Sequence, residues 1–317
     1  QIGLPLTVFG LNHTHEIAVI EMGMSNFGEM ERLSAIASPT SAVVTNIGIS
    51  HIEQLKTQEN IRAEKLHIAD TIGEQGALYL NGDDPMLQQL RESYTGKIVW
   101  YGMESDCDYR AVNIDTVKDC TRFELHAPFG AHKIMIPALG LHNVSNALAA
   151  IAVAYDQGLT LDDIRCGLLT YEGLAMRQQI HELDKITVID DSYNASPDSI
   201  KSGIGVLMAV KSTGKKIAVL ADMLELGERS AQAHLELGAY AAASGVDAVL
   251  TVGREAEKIA EGAAEESRKI LVKACGTNDE AFAELEKILN DGDCVLVKGS
   301  RGMHTDEIVQ KLLTKYQ

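Results

Sequence analysis

Short apolar runs alternate with helical stretches along the chain. In the first half, four apolar runs predict strands, at residues 17–23, 41–48, 77–81 and 97–101. Two stretches of helical periodicity predict helices, at residues 29–37 and 58–71. Continuous apolar strands separated by helices are typical of a parallel sheet with both faces covered. The first half therefore predicts an α/β domain with a central, mostly parallel sheet and helices on both of its faces.

Residues 108–137 depart from this rhythm. Their period-2 alternation around a turn at residues 128–130 predicts an antiparallel hairpin. Two helices are predicted to follow it, at residues 142–157 and 161–171.

Beyond the less periodic segment 171–177, the alternation of strands and helices begins again. Five apolar runs predict strands, at residues 186–190, 216–223, 248–253, 269–273 and 294–298. Helices are expected between them, and residues 304–316 close the chain as a helix. This pattern predicts a Rossmann-like, doubly wound C-terminal domain. We therefore predict two domains, residues 1–174 and 175–317, each long enough to bury a core.

Composition and charge narrow the class of protein. The 317 residues include 28 Lys and Arg against 45 Asp and Glu, a formal net charge of −17. This acidic excess argues against a nucleic-acid partner, since Lys and Arg supply most phosphate contacts. Five scattered cysteines without metal-binding or paired spacing favour a reducing cytosol. No apolar run reaches the roughly 18 residues of a membrane span. We expect a cytoplasmic, monomeric enzyme without membrane insertion.

Several catalytic motifs are missing from the sequence. It contains no GxxxxGK[ST] P-loop, no GxGxxG after a strand, no GxSxG and no HExxH. A dehydrogenase, a serine hydrolase and a zinc protease therefore lack motif support. Because ligands of open α/β sheets bind outside the carboxyl ends of the strands, polar residues at those ends are the candidates for function.

Two strand ends in the first half carry candidate metal ligands. Glu21 ends the first predicted strand, Asn46 ends the second, and His51 follows a short turn. A carboxylate and an imidazole on neighbouring strand ends could hold Mg²⁺ directly or through water. The alternative is a Glu that caps the next helix and an exposed loop His.

Lys65 interrupts an apolar helical stripe. It shares that stripe with Ile61, Ile68 and Ile72, at spacings of four, three and four residues. Burial would push its amine towards the neutral, reactive form. The alternative is a lysine at the edge of the stripe whose ammonium reaches solvent.

Asparagines open the helix predicted at residues 142–157. Asn143 and Asn146 lie three residues apart and could read a base edge or a ribose. Capping of the helix by Asn143 would explain the first asparagine but not the second.

Polar clusters also follow three strands of the second half. The first of these strands ends in a run of polar residues: Asp190, Asp191, Ser192, Tyr193 and Asn194. Ser196 and Pro197 follow in the order that helix starts prefer, with the capping residue before the proline. Two acids beside a helix N-terminus indicate a nucleotide or phosphate site. Two further clusters have the same placement, at residues 222–228 and 298–301.

Nine segments, in order along the chain, resemble the Mur ligase family of peptidoglycan synthesis. They are IGLPLT, AVIEMG, VVTNIGISHIE, IRAEKLHIA, LGLHNVSNALAA, AMR, VIDDSYNASPDS, ADMLELGE and VLVKGSRG. DDSYNASP and DMLELGE resemble the member that adds D-alanyl-D-alanine. The resemblance implies an ATP- and Mg²⁺-dependent amide ligase that extends a UDP-N-acetylmuramoyl-tripeptide through an acyl phosphate. Whether the third peptide residue is diaminopimelate or lysine stays open.

The resemblance also implies roles for individual residues. Glu21 and His51 match the Mg²⁺ ligands, and Lys65 matches a lysine whose carbamate helps to hold a second Mg²⁺. Matches to nucleotide-binding positions are Asn146 beside adenine, Arg177 at the phosphates and Asp191 near the ribose, with Asn143 on the same helix turn. Five residues lie in segments that match substrate-binding ones: Tyr193, Asn194, Lys298, Ser300 and Arg301.

One departure from the family affects the expected activity. Its members have an N-terminal domain for the UDP-sugar and a P-loop for ATP, and this chain begins after both, with a central domain truncated before Gln1. We therefore expect the chain alone to lack ligase activity and to bind ATP weakly. The alternatives are another Mur-type amino-acid ligase and a non-catalytic binding protein without a P-loop.

Overall fold

The computed structural model describes residues 2–104 and 106–316. These residues form two six-stranded sheets with helices, which confirms the predicted α/β class. Residues up to 114, 122–135 and 144–168 belong to one compact unit, and residues 115–121, 136–143 and those from 169 onwards to the other. The predicted domain boundary after residue 174 stays a prediction.

The first sheet contains six strands in chain order. They are β1 (Ala42–Val44), β2 (Ala77–Asn81), β3 (Lys97–Gly102), β4 (Tyr109–Val117), β5 (Cys120–Ala127) and β6 (Gly130–Ile136). The pairs β1–β2, β2–β3 and β3–β4 are parallel. Only two residues separate β4 from β5 and β5 from β6, and connections this short join antiparallel neighbours. The predicted departure from parallel pairing is therefore confirmed.

Within residues 2–104 and 106–316, seven helices accompany this sheet. They are α1 (Gly3–Phe9), α2 (Glu29–Ala37), α3 (Ile52–Leu55), α4 (Gln58–Leu66), α5 (Pro85–Gln88), α6 (Leu141–Asp156) and α7 (Leu161–Leu169). The helix predicted to reach residue 71 ends at Leu66 and continues only as a 3₁₀ turn, His67–Ala69. Leu55, Leu78, Leu80 and Leu87 have no exposed surface and lie in the core of the first unit.

The strand predicted at residues 17–23 is wrong. In the part of the chain that the structure describes, this segment joins no sheet, and Val19 is 92% exposed. An apolar run becomes a buried strand only where a neighbouring strand takes up its backbone hydrogen bonds and another layer covers its side chains. Hydrophobicity alone does not reveal whether those neighbours exist.

The second sheet is the predicted doubly wound one. Its strands are β7 (Gln179–Glu182), β8 (Thr187–Asp191), β9 (Lys216–Ala221), β10 (Ala248–Val252), β11 (Leu271–Cys275) and β12 (Cys294–Lys298). The order is β11-β10-β9-β12-β8-β7, and only β7, an edge strand missed in the sequence, pairs antiparallel. Five helices of the part of the chain that the structure describes accompany it: α8 (Pro197–Ala209), α9 (Ser230–Ala243), α10 (Glu257–Glu266), α11 (Asn278–Ile288) and α12 (Asp306–Tyr316).

The order of the second sheet brings three strand ends together. Strand β12 lies between β8 and β9, with Lys298 in register with Asp191 on one side and Leu220 on the other. The carboxyl ends of these strands therefore meet at one edge, the position at which doubly wound sheets bind ligands. None of the helices within residues 2–104 and 106–316 is long and apolar enough to cross a membrane.

Candidate functional site

A pocket of about 360 Å³ lies in the first unit. Four segments line it: residues 22–25, Met30 on α2, the end of β1 with the loop that follows, and one face of α4 with the 3₁₀ turn after it. The lining includes Asn46, His51 and Lys65, so the structure brings these three sequence-predicted residues together.

Side chains from elsewhere in the first unit hold the loop that carries His51. The Asn81 amide donates a hydrogen bond to the Thr45 carbonyl at 3.0 Å, and the Gln58 amide donates one to the Ile47 carbonyl at 2.5 Å. His51 has a left-handed backbone conformation with φ +62°, which is uncommon for residues other than glycine. Sequence reasoning missed Asn81 and Gln58, because their contacts span 36 and 11 residues.

Lys65 reaches the pocket from the last turn of α4. Ile61, one turn earlier on the stripe, is 1% exposed, whereas Lys65 is half-buried. The Lys65 ammonium donates a hydrogen bond to the Asn46 carbonyl at 2.8 Å. Ile61 and Ile68 also line the pocket, so Lys65 is a polar side chain between two apolar ones on the face that the stripe turns to the pocket. A primary amine thus lies in a cleft, next to a polar loop.

Glu21 lies apart from this group. It is exposed and is not part of the pocket lining, although Met22 and Gly23, the next two residues, are. Within residues 2–104 and 106–316, no three His, Cys, Asp or Glu side chains cluster closely enough to form a metal site. Thr45 and Ser50 in the lining carry oxygens, which suit a cation that keeps much of its water, as Mg²⁺ does, and the His51 imidazole could contact such a water.

The start of α6 differs from the sequence interpretation. Gly140 has φ +93°, and the helix begins at Leu141. Asn143 is therefore inside the first turn, where its side-chain amide donates to the Leu139 carbonyl at 2.8 Å. Capping by Asn143 is wrong, because the helix starts before it. Asn146, one turn further on, is exposed.

Two buried charges meet at the ends of β8 and β12. The Asp191 carboxylate lies 2.7 Å from the Lys298 ammonium, and the two residues are 5% and 2% exposed. Lys298 also donates to the Asn194 carbonyl at 3.0 Å. Burial raises the pKa of Asp191 and lowers the pKa of Lys298, while each charge opposes the shift of the other.

The neighbouring acid and the following helix start are also explained locally. Asp190 accepts hydrogen bonds from the Ser192 amide at 3.1 Å and from its hydroxyl at 2.5 Å. Ser196 caps α8 through a reciprocal bond pair with Ser199, and Pro197 takes the first helical position, as the sequence predicts. Each of the two adjacent acids therefore has an intramolecular partner.

Arg177 and Tyr193 form an exposed pair in the second unit. The guanidinium of Arg177 lies 4.4 Å from the centre of the Tyr193 ring, and Tyr193 is 44% exposed. The Tyr193 amide donates to the Met176 carbonyl at 3.1 Å, which holds the two segments together. Stacking of this kind favours one orientation of the guanidinium over the ring.

The loop after β9 is tied to the end of β12. The Leu224 amide donates to the Ser300 hydroxyl at 2.9 Å, and the Ser300 amide donates to the Asp222 carbonyl at 3.2 Å. The Met223 amide donates to Nε2 of His234, a fully buried histidine on α9 that the sequence analysis missed. The signal in the sequence that could have identified His234 is a single His in a helix rich in Ala and Leu. Arg301, next to Ser300, is exposed.

Comparisons with known proteins match the whole chain. A family model described as the Mur ligase middle domain matches residues 1–154, and one described as the Mur ligase, glutamate ligase domain matches residues 176–301. The chain is 38% identical to the UDP-N-acetylmuramoyl-tripeptide–D-alanyl-D-alanine ligase of Bacillus subtilis, over 99% of this chain and 68% of that protein. The ligase of the same name from Escherichia coli is 30% identical over 98% of this chain and 68% of its own length.

Solved structures give the same result. A crystal structure of MurF from Acinetobacter baumannii superimposes with a TM-score of 0.90 at 31% identity, over 99% of this chain and 68% of that one. A crystal structure of MurF ligase from Thermotoga maritima in complex with ADP gives a TM-score of 0.84 at 28% identity, over 95% of this chain and 68% of that one.

Proposed function

This chain belongs to the Mur ligase family, and we propose that it is the ATP-dependent part of a ligase that joins D-alanyl-D-alanine to a UDP-N-acetylmuramoyl-tripeptide in peptidoglycan synthesis. The observation that carries this proposal is 38% identity over 99% of the chain to a ligase of that name. We also propose that it acts in the cytoplasm as a monomer. The boundary between its two domains is proposed to lie after residue 174.

The reaction makes an amide bond in two steps. The tripeptide carboxylate attacks the γ-phosphorus of ATP, which forms an acyl phosphate and releases ADP. The amine of D-alanyl-D-alanine then attacks the acyl carbon and gives up one proton to solvent, and the tetrahedral intermediate collapses with loss of phosphate. Bound Mg²⁺ would offset the negative charge of the transferring phosphoryl group.

The pocket of the first unit is the proposed place for the metal. His51 would bind through its imidazole, and Lys65 would supply an oxygen ligand after carbamylation of its amine by CO₂. Glu21 is the proposed carboxylate ligand. Its exposed position means that the extended segment carrying it would have to bring the carboxylate to the pocket. The hydrogen bond from Lys65 to the Asn46 carbonyl supports this proposal, because it keeps the amine inside the cleft.

The proposed nucleotide contacts lie on α6 and near the second sheet. Asn146 and Asn143 would face the base, Arg177 would neutralise phosphate oxygens, and Asp191 would lie near the ribose. The stack of Arg177 on Tyr193 supports this role, since it fixes a cation beside an exposed aromatic face.

Substrate contacts are proposed at the ends of β8 and β12. Arg301 and Tyr193 are exposed and could touch a substrate directly, with Arg301 suited to a carboxylate. The other three residues, Asn194, Lys298 and Ser300, already bond to neighbouring residues, so we propose that they shape the substrate site.

Substitution of Lys65 tests this proposal. In the protein that contains this chain, Lys65→Ala should lower ligase turnover by at least about 100-fold, because a ligand for transition-state charge is lost. Mass spectrometry would follow the product formed from ATP, UDP-N-acetylmuramoyl-tripeptide and D-alanyl-D-alanine, with circular dichroism to check folding.

The matched control is Lys56→Ala. Lys56 is exposed outside the pocket and donates to the Glu53 carbonyl, so its loss should leave turnover within about twofold. Full activity of Lys65→Ala would remove Lys65 from the mechanism. Turnover with another amino acid but not with D-alanyl-D-alanine would make the protein a different ligase of the family.

A further inference from the structure

The loop at residues 45–51 has an anchor that the sequence analysis did not identify. Ile47 lies in the middle of this loop and is 2% exposed. The Ile47 amide donates a hydrogen bond to Oδ2 of Asp84 at 2.7 Å, and the Ile47 carbonyl accepts one from Gln58 at 2.5 Å. The backbone amide and the carbonyl of Ile47 are therefore both held by side chains that are distant in sequence.

The second oxygen of Asp84 is also in use. Its Oδ1 accepts the amides of Met86 and Leu87, at 2.9 and 3.0 Å, and thereby caps α5. One carboxylate thus joins the start of α5 to the loop after β1. Hydrogen bonds to an ionised acceptor are the stronger kind, which suits a group that must hold two segments at once.

His51 needs this support more than most loop residues do. Its backbone has φ +62°, a conformation that is costly for a residue with a Cβ and that persists only when surrounding contacts enforce it. The anchored Ile47 lies four residues before it, and His51 is one of the residues that line the pocket.

We propose that Asp84 is a positioning residue, which fixes the loop at residues 45–51 and thereby sets the orientation of the His51 imidazole in the pocket. The inference rests on the proposed function, because the orientation of His51 matters for catalysis only if the pocket holds the metal.

Two serine substitutions separate this role from simple stabilisation. Asp84→Ser keeps a good helix cap for α5, but its hydroxyl is too short to hold Ile47 as well. Asp83→Ser is the matched control, since the Asp83 carboxylate accepts the amides of Met103 and Glu104 and does not touch the loop. Asp84→Asn is a second variant of almost equal size, with a single acceptor oxygen for the two tasks.

The first measurement is amide hydrogen exchange with NMR of the His51 ring. Asp84→Ser should speed exchange of the Ile47 amide by about tenfold or more and should shift or broaden the ring signal. Asp83→Ser should speed exchange only at Met103 and Glu104. If Asp84→Ser does not fold, Asp84→Asn takes its place. In that variant, either the Ile47 amide or the amides at the start of α5 should exchange faster than in the unaltered protein. An unchanged His51 signal with a faster Ile47 amide, or full protection in Asp84→Asn, would overturn the proposal.

A titration with Mn²⁺ separates this proposal from the proposed function. Water-proton relaxation would give the affinity of each protein for Mn²⁺, a stand-in for Mg²⁺. Asp84→Ser should weaken binding by about tenfold or more, as loss of groups that orient metal ligands does, and equal affinity would overturn the positioning role. If the unaltered protein binds no Mn²⁺, the metal proposal fails, and the amide and imidazole signals alone decide the role of Asp84.

Discussion

At the scale of single residues, the pair of Asp191 and Lys298 combines charge with almost complete burial. Each ion has lost its water, so each depends on the other, and the Lys298 ammonium also donates to the Asn194 carbonyl. The pair also joins β8 to β12, the strands whose ends carry most of the proposed substrate contacts.

Removal of one partner should therefore be costly. We predict that Lys298→Met lowers the free energy of unfolding by about 3–5 kcal/mol, because it leaves the Asp191 carboxylate buried without a counter-ion. Urea denaturation would measure the loss. The double variant Asp191→Asn/Lys298→Met should recover much of it, and equal losses in the single and double variants would show that the packing of Lys298 matters more than its charge.

The sequence predicted some residues of the site better than others. The interruption of a stripe by Lys65 is visible in the sequence because i, i+3 and i+4 neighbours share a helix face, and the structure places Lys65 at the pocket with His51. Asp84, Asn81 and Gln58 could not be found this way. They act through backbone groups 11 to 37 residues away, and no periodicity encodes such contacts.

At the scale of secondary-structure elements, α4 does more than present Lys65. Its Glu64 is 4% exposed and accepts the amides of Gly28 and Met30, at 3.0 and 2.9 Å. These amides lie at the N-terminus of α2, where a negative charge is favourable. The helix that carries Lys65 is thereby fastened to α2, next to the 22–25 segment of the pocket.

We predict that Glu64→Gln lowers the free energy of unfolding by about 1–3 kcal/mol, because one acceptor and the charge are lost at buried amides. Glu59→Gln, an exposed change on the same helix, is the control and should stay within about 0.5 kcal/mol. Both values come from urea denaturation of the purified chain. A similar effect in both variants would mean that any loss of charge on α4 has this cost.

The elements themselves were predictable to different degrees. Strands β2 and β12 lie where the sequence predicts them, because central parallel strands need continuous apolar runs. The segment at 17–23 has the same character and forms no strand, and β7, a half-exposed edge strand, lacks that character and forms one. In both cases, whether a strand forms depends on the neighbouring strands and helices, which the local sequence pattern does not describe.

At the scale of the whole molecule, the fold class followed from the alternation of strands and helices, whereas the order of the second sheet did not. The net charge of −17 also acts at this scale, since like charges repel in any compact state. Screening by salt shortens the range of that repulsion to about 10 Å at 0.1 M.

We therefore predict that NaCl stabilises the protein. Between 10 and 300 mM salt, Tm should rise by about 2–4 °C, which scanning calorimetry would detect. Choline chloride should act equally if screening is the cause. A rise with NaCl alone would indicate specific binding of Na⁺, and a fall would mean that attractive ion pairs outweigh the repulsion.

The position of β12 has a consequence for biosynthesis. Among the described strands of the second sheet, β12 comes last in sequence and lies in the middle of the sheet, between β8 and β9. While a ribosome is still translating residues before 294, β8 and β9 lack the strand that joins them, and both carry apolar, unpaired edges. Completion of this sheet must wait until residues 294–298 leave the exit tunnel. A nascent chain stalled before Cys294 should therefore be the species most exposed to aggregation and most dependent on chaperones.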